Sequence, residues 1–299
     1  MKKEMVKIRN YILEKIFLMQ LFLKFFSTKR IIPKFVWSHF QPIGKFELNI
    51  RGNIRFIYYA CNNDQLARSI IWTNFGDWEG KSISLFSELA KYSKIIFDIG
   101  AYTGIYSLVA LASNIRTKVK IFEPNTIMIP NIEKNIKINC YSKRVKIYNI
   151  ALSNENGSFD FAITKDRTAS GLITNLNKRQ RVDSIQNVKV WKLDDLLKNE
   201  ERKVDLIKID VEGNEAETLK GMCGIIEQFR PTILIECLSE EKYNQVKNYL
   251  KKYNYYNCYH IGKENIKEIS NEYRNEVNYP NFLFVYKNKH FEVINNSIR

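Results

Sequence analysis

Residues 95–107 have the sequence IIFDIGAYTGIYS, an apolar run followed by a glycine-containing turn and the start of an apolar helix. The run Ile95–Ile99 predicts a buried strand, and the helix is expected to extend through Ala112. Gly100 lets the backbone bend sharply and approach a ligand, and Gly104 lets the helix begin close to that ligand. The segment therefore predicts a strand–turn–helix unit with a binding site at its turn.

The same alternation of short apolar runs and helical segments continues downstream. The predicted strands are Lys118–Phe122, Val145–Leu152, Ser158–Ile163, Leu206–Val211 and Thr232–Ile235, and the predicted helices are Met128–Ile138, Glu215–Ile226 and Glu240–Lys252. Two later strands, near Tyr255–Ile261 and Phe282–Tyr286, lack an intervening helix and are expected to pair antiparallel at one edge. This pattern predicts an α/β fold with a doubly wound sheet of about seven strands.

The chain is expected to divide into four segments. Residues 1–40 form a basic and apolar helical extension, and residues 41–92 form a lead-in with a hairpin and the helix Ser82–Lys91. Residues 93–289 form the ligand-binding domain, in which residues 164–190 are expected to be an inserted loop over the site. Residues 290–299 form a tail.

Composition and charge exclude several classes of protein. The 299 residues carry a net charge of +15, from 47 Lys and Arg against 32 Asp and Glu. Residues 1–50 contribute +7 of this charge, which argues against a nucleic-acid partner held over the whole surface. The five cysteines form no C-x-x-C pair, which disfavours a zinc ribbon, a thioredoxin-type site and a disulfide framework.

The segment Ile12–Phe26 is apolar at eleven of its fifteen positions, but Glu14, Lys15, Gln20 and Lys24 interrupt it. It is too short and too charged for a membrane-spanning helix, and it lacks a signal-peptide cleavage site. Two interpretations remain open. The helix packs against the rest of the chain or a second copy in a homodimer, or residues 1–30 lie on the inner face of the cytoplasmic membrane.

Two acids lie at the ends of consecutive strands. Asp98 precedes the first turn, where it is placed to pair with a ligand ammonium, and Glu123, followed by Pro124, is placed to accept both hydroxyls of a ribose. The turn has the spacing G-x-x-x-G and not the G-x-G-x-x-G of nicotinamide binders. These features favour S-adenosylmethionine over NAD, with Ala151 and its neighbours against the adenine.

The fourth strand carries a third group of charged residues. Period-two alternation predicts that Lys208, Asp210 and Glu212 share one face at the mouth of the site. Asp210 is the first candidate for a general base, and Glu212 is the second. An alternative is a divalent cation held by Asp210 and Glu236 that lowers the pKa of the acceptor hydroxyl.

These motifs together resemble the FkbM family of S-adenosylmethionine-dependent methyltransferases. The resemblance rests on IIFDIGAYTGIYS from residue 95, FEP from 122, ALSNENG from 151, LDDL from 193 and VDLIKIDVEGNEAETLKG from 204. It covers roughly residues 45–288 and implies a class I methyltransferase fold that binds S-adenosylmethionine. The residues that match the family's cofactor loop and K-x-D-x-E-G element are Asp98, Gly100, Ala101, Gly104, Glu123, Lys208, Asp210, Glu212 and Gly213. Tyr102 departs from the family, which usually has a small polar Asn there, and its bulky ring is expected to cover the methionine moiety of the cofactor or to narrow its entrance.

The resemblance implies O-methylation of a hydroxyl on a saccharide, glycolipid or natural-product acceptor by a cytoplasmic protein. The sequence has no N/D-P-P-Y element and no Pro-Cys pair, which disfavours nucleic-acid bases as targets. The alternatives are a nicotinamide-dependent oxidoreductase, which the missing G-x-G-x-x-G disfavours, and a non-catalytic membrane-associated scaffold.

Overall fold

The computed structural model describes residues 18, 20–22, 24–25, 33, 40–50, 53–61, 64–76, 78–164, 170–172, 182–200, 202–263, 265–269, 280–287 and 289–298. The chain forms two compact units, Met1–Gly80 and Lys81–Arg299. The division falls inside the predicted lead-in 41–92, because the helix that begins at Gly80 belongs almost entirely to the second unit. Most of the predicted extension 1–40 lies outside the described residues.

The first unit contains the predicted hairpin and a short helix, and its elements are β1 (Gly44–Ile50), β2 (Ile54–Ala60) and α1 (Gln65–Thr73). The strands pair antiparallel, from Gly44 opposite Ala60 to Ile50 opposite Ile54. The Asp64 side chain caps α1 by accepting from the backbone N–H of Ala67 at 3.0 Å, as expected for an acid at a helix N-terminus. The described residues contain no helix that is both long and apolar enough to cross a membrane.

The second unit contains the remaining elements. In chain order they are α2 (Gly80–Lys91), β3 (Ile95–Ile99), α3 (Ile105–Ser113), β4 (Lys118–Phe122), α4 (Ile129–Ile138), β5 (Val145–Tyr148), β6 (Ala151–Leu152), β7 (Gly157–Thr164), β8 (Gly171–Leu172), β9 (Val182–Trp191), α5 (Leu193–Leu196), β10 (Leu206–Ile209), α6 (Glu215–Lys220), α7 (Cys223–Phe229), β11 (Thr232–Glu236), α8 (Glu240–Lys251), β12 (Asn257–Ile261), β13 (Ile266–Glu268), β14 (Asn281–Val285) and α9 (Phe291–Ile298).

The main sheet has the strand order β13-β12-β14-β11-β10-β3-β4-β5. The five strands β11, β10, β3, β4 and β5 are parallel, as the alternation of strands and helices predicts. The chain order of the strands runs in opposite directions on the two sides of β3. The sheet therefore has its switch point between β3 and β10, and the carboxyl ends of these strands form a crevice there.

The far edge of the main sheet is antiparallel, as predicted. Strand β14 pairs antiparallel with β11 and β12, and β13 adds one more antiparallel strand beside β12. The main sheet thus has eight strands where about seven are expected, because the short β13 carries only one buried residue and gives no clear apolar run.

Two predictions between residues 145 and 190 are wrong. The expected third strand divides after Tyr148, because Asn149 turns the chain by donating its amide to the carbonyl oxygens of Glu123 and Pro124 at 2.8 and 3.0 Å. The following residues enter a second sheet, β6-β9-β7-β8. The expected loop 164–190 contains all but the last residue of the ten-residue strand β9. The side chains of β9 are mostly exposed, so its polar sequence does not indicate a strand.

Two helical predictions also differ. The expected helix Glu215–Ile226 is two helices, α6 and α7, that separate near Gly221. A Cβ at Gly221 would lie 1.9 Å from the carbonyl oxygen of Ser153, so glycine allows the chain to pass against that strand end. The expected tail 290–299 includes α9, which buries Ile294.

Candidate functional site

A cavity lies at the carboxyl ends of β3, β4 and β10, at the switch point of the main sheet. Three carboxyl groups line it, those of Glu123, Asp210 and Glu212, and no Lys, Arg or His among the described residues does so. Its apolar lining comes from strand ends of both sheets: Ile99, Phe122, Ile150, Leu152, Phe161 and Leu172. The apolar part of the lining therefore suits a flat apolar group of a ligand, and the acidic part suits a cationic group.

The floor of the cavity is a direct contact between the ends of β3 and β10. The backbone N–H of Asp210 donates to the carbonyl oxygen of Ile99 at 2.9 Å, and the N–H of Gly100 donates to that of Phe122 at 2.9 Å. A Cβ on Gly100 would lie 1.6 Å from the carbonyl oxygen of Asp210. Only glycine fits at this position, as the sequence predicts for a close backbone approach.

In the turn after β3, every second residue has a left-handed backbone conformation. Gly100, Tyr102 and Gly104 have φ values of 76°, 51° and 79°. Two of these positions are glycine, but a bulky residue in this region is strained. Tyr102 lines the cavity, while Ala101 and Gly104 shape the turn without lining it.

Glu123 is held at the cavity wall by two backbone donors. Its Oε2 accepts from the N–H of Tyr102 at 2.6 Å, and its Oε1 accepts from the N–H of Asn125 at 2.8 Å. Burial raises the pKa of Glu123 to about 8, although these two hydrogen bonds act in the opposite direction. Each carboxylate oxygen has a second lone pair available to a ligand hydroxyl.

Asp98 does not face the cavity, in contrast to the predicted contact with a ligand ammonium. It is 1% exposed, and its Oδ2 accepts from the backbone N–H and the hydroxyl of Ser107 at 3.0 and 2.5 Å. Burial raises the pKa of Asp98 to about 6, against the lowering effects of Ser107 and of the Lys208 charge. Its side chain fastens the first turns of α3 to β3, beneath the cavity. The alternation of the strand explains the error, because Asp98 precedes the turn by two residues and points to the helix side.

The predicted alternation of Lys208, Asp210 and Glu212 also fails beyond the end of β10. The strand ends at Ile209, and Glu212 has a φ of 50°, so the chain has left the extended conformation. Asp210 and Glu212 line the cavity, but Lys208 is 1% exposed and lies below it. The Nζ of Lys208 is 3.6 Å from Asp210 Oδ2 and donates to the side-chain oxygen of Asn281 at 3.3 Å.

The Glu212 carboxyl lies among other acids. Burial raises its pKa to about 8, and the charges of Asp210 and Glu215 act in the same direction. Glu236 follows Ile235, which pairs with Ile209 in the sheet, so Glu236 and Asp210 end neighbouring strands. Glu236 does not line the cavity, and its predicted role in holding a cation stays a prediction.

Pro124 and Ala151, both predicted to bind the cofactor, line the cavity, and the predicted contact of Ala151 with an adenine stays a prediction. Two asparagines there were not predicted. Asn125 lines the wall beside Glu123, and Asn214 lines the opposite side while its amide donates to the carbonyl oxygen of Leu152 at 2.9 Å. Asn125 directly follows the Glu-Pro pair, so its place at a strand end was the signal that could have identified it.

The family model for the methyltransferase FkbM domain matches residues 98–256. Every residue that lines the cavity lies within this range. This chain belongs to the FkbM methyltransferase family. The resemblance seen in the sequence motifs is thereby confirmed. The strand order of the main sheet, with its antiparallel β14, is that of a class I methyltransferase.

Two solved structures that are similar to this FkbM-family chain are distant from it in sequence. A methyltransferase FkbM from Methylobacillus flagellatus KT has a TM-score of 0.47 and 14% identity, over 76% of this chain and 56% of that one. This chain thus spans little more than half the length of that relative. An O-methyltransferase from Bacillus cereus in complex with SAH has a TM-score of 0.41 and 12% identity, over 70% and 80%. No curated protein matches the sequence.

The contact at Gly100 leads to a stability prediction for this FkbM-family chain. Gly100→Ala forces a methyl group against the Asp210 carbonyl and is expected to cost about 3 kcal/mol or more in the free energy of unfolding. Gly104→Ala is the matched control, because its φ is also positive but its Cβ would only touch Ile132 at 3.5 Å, and it should cost about 1 kcal/mol. Urea denaturation followed by circular dichroism measures both. Equal losses would contradict the close contact.

Proposed function

We propose that this chain transfers a methyl group from S-adenosylmethionine to a hydroxyl group of a saccharide, glycolipid or natural-product acceptor. The charge of the cavity carries the proposal. Glu123, Asp210 and Glu212 line it without a cationic residue among the described lining, which suits a ligand with a sulfonium and an ammonium group. The same charges would repel the diphosphate of a nicotinamide cofactor.

If the chain were instead a nicotinamide-dependent oxidoreductase, it would bind NAD in preference to S-adenosylhomocysteine. A thermal-shift comparison of S-adenosylhomocysteine and NAD at equal concentrations separates the two classes, because a ligand that binds only the folded state raises the melting temperature. Stabilisation by NAD alone would favour the oxidoreductase. Stabilisation by neither ligand would favour the non-catalytic scaffold.

Different residues of the cavity suit different parts of the cofactor. Glu123 can accept the ribose hydroxyls, and the apolar strand ends near Ala151 and Leu152 suit the adenine. The bound cofactor supplies an electrophilic methyl group on a positively charged sulfur. Because Asp98 lies beneath the cavity, Glu212 is the carboxyl group left to pair with the ammonium while Asp210 faces the acceptor.

Asp210 is the candidate general base for the acceptor hydroxyl. Its side chain is 28% exposed and lines the cavity, so a hydroxyl can reach it, and the Lys208 ammonium lies 3.6 Å from its Oδ2. Asp210 would take the proton of the hydroxyl as the oxygen attacks the methyl carbon and the carbon–sulfur bond breaks. Glu212 is the second candidate for this base.

Asp210→Asn is expected to lower methyl transfer by roughly 10²- to 10⁴-fold, because it removes the proton acceptor. The affinity for S-adenosylhomocysteine, measured by calorimetry, should stay within about threefold of wild type if Asp210 acts only on the acceptor. A large loss of affinity would instead assign Asp210 to the ammonium. Activity that persists after exhaustive chelation would exclude a divalent cation held by Asp210 and Glu236.

The acceptor is identified by tritium transfer from labelled cofactor to a panel of polysaccharides, lipid-linked saccharides and hydroxylated natural products. Mild base hydrolyses a methyl ester to volatile methanol but leaves a methyl ether intact. Label that stays on the product after mild base and after acid hydrolysis to monomers therefore identifies an ether. Transfer to nucleic acid or protein, with none to hydroxylated acceptors, would contradict the proposed substrate class.

The raised pKa of Glu123 leads to a pH prediction for cofactor binding. The free carboxyl is mostly protonated below about pH 8, whereas two ribose hydroxyls would donate to the ionised form, so binding should release about one proton per site at neutral pH. The affinity for S-adenosylhomocysteine should therefore rise from pH 6 towards pH 8. Calorimetry in two buffers with different ionisation enthalpies measures the proton count.

Glu123→Gln is the control for this measurement, because it keeps the shape of the side chain and removes its titration. It should bind more weakly and release no proton. Glu212 also has a raised pKa, so proton release that persists in this variant would assign the titration to another carboxyl and contradict the ribose role of Glu123.

We also propose peripheral membrane contact through the N-terminal segment. Leu18, Phe22 and Phe25 are helical and 65%, 58% and 53% exposed, at spacings of four and three residues that place them on one face. Replacing all three with Ser should reduce sedimentation with vesicles that contain anionic lipid, while melting is little changed. Undiminished sedimentation of the triple variant would contradict this contact.

A further inference from the structure

Tyr102 combines two features that its position in the turn does not require. It is bulky at a φ of 51°, where glycine or Asn would be relaxed, and it is one of the residues that line the cavity. Strained residues of this kind persist where the surrounding structure fixes them, often at ligand sites. The hydrogen bond from the Tyr102 N–H to Glu123 Oε2 at 2.6 Å is one such constraint.

The same hydrogen bond defines which part of the cofactor lies near the ring. Under the proposed function, Glu123 accepts the ribose hydroxyls, and in S-adenosylmethionine one carbon joins the ribose ring to the sulfur. The sulfonium would therefore lie close to the Glu123 carboxyl and to residue 102, whose backbone N–H donates to that carboxyl. An aromatic face attracts a cation within about 6 Å of its centroid, and the attraction grows where water is excluded.

We propose that the Tyr102 ring packs against the sulfonium of the bound cofactor and makes the site prefer the charged methyl donor to its neutral product. This inference rests on the proposed function. The carboxyl groups of Asp210 and Glu212 in the same cavity favour the cation as well, but their charges act also on the ammonium, which donor and product share. The ring therefore acts on the one group that methyl transfer changes, and it assists product release.

The test compares the affinities of S-adenosylmethionine and S-adenosylhomocysteine by calorimetry in the full chain. Tyr102→Leu removes the ring but keeps an apolar side chain, and it should reduce the donor-to-product affinity ratio by roughly threefold to tenfold. Most of this change should be in the affinity for the donor. Tyr102→Phe is the matched control, because it keeps the ring and should keep the ratio.

Tyr102→Asn is a second variant without the ring, and its side chain tolerates the left-handed backbone, so it guards against misfolding of the Leu variant. It should lower the ratio as the Leu variant does. An unchanged ratio in both ringless variants, or an equal loss in Tyr102→Phe, would overturn the inference. A wild-type chain that binds neither ligand would instead overturn the proposed function.

Discussion

The carbonyl oxygen of Asp210 packs where a side chain of residue 100 would lie, and this contact determines the geometry of the site. It joins the ends of two parallel strands, β3 and β10, at the point where the strand order reverses. The hydrogen bond from Asp210 N–H to Ile99 holds the same two strand ends. Because the backbones meet so closely, the chain after Gly100 must turn in the left-handed region, and the next residues are directed to the cavity wall.

The buried carboxyl groups of the site lower the stability of the unliganded protein. Carboxyl groups lose hydration when buried, and at Glu123 and Glu212 burial is the main cause of the raised pKa. At Glu123, two backbone N–H donors partly compensate for the lost hydration. At Asp210, the ammonium of Lys208 below it does so. A cationic ligand would relieve the remaining repulsion, so the arrangement favours binding at the expense of the unliganded fold.

The sequence contained enough information for the main sheet and much of the cofactor site. Apolar strands between helices, the glycine turn and the acid of Glu123 follow from local patterns, and the structure keeps them together. The directions in which side chains point at the strand ends could not be predicted from these local patterns. Asp98 and Lys208 point beneath the cavity and Glu212 leaves the strand alternation, because each depends on where its strand stops. The second sheet was missed since β9 is polar and mostly exposed.

The second sheet covers one side of the cavity without sharing strands with the main sheet. It contributes Phe161 and Leu172 to the lining, and the carbonyl oxygen of Leu152 joins it to α6 by accepting from Asn214 and Thr218. A sheet that shares no strand with the main sheet can lengthen, shorten or change its side chains while the parallel strands remain intact. Descendants of one ancestral enzyme could thus acquire new acceptors by remodelling this cover alone.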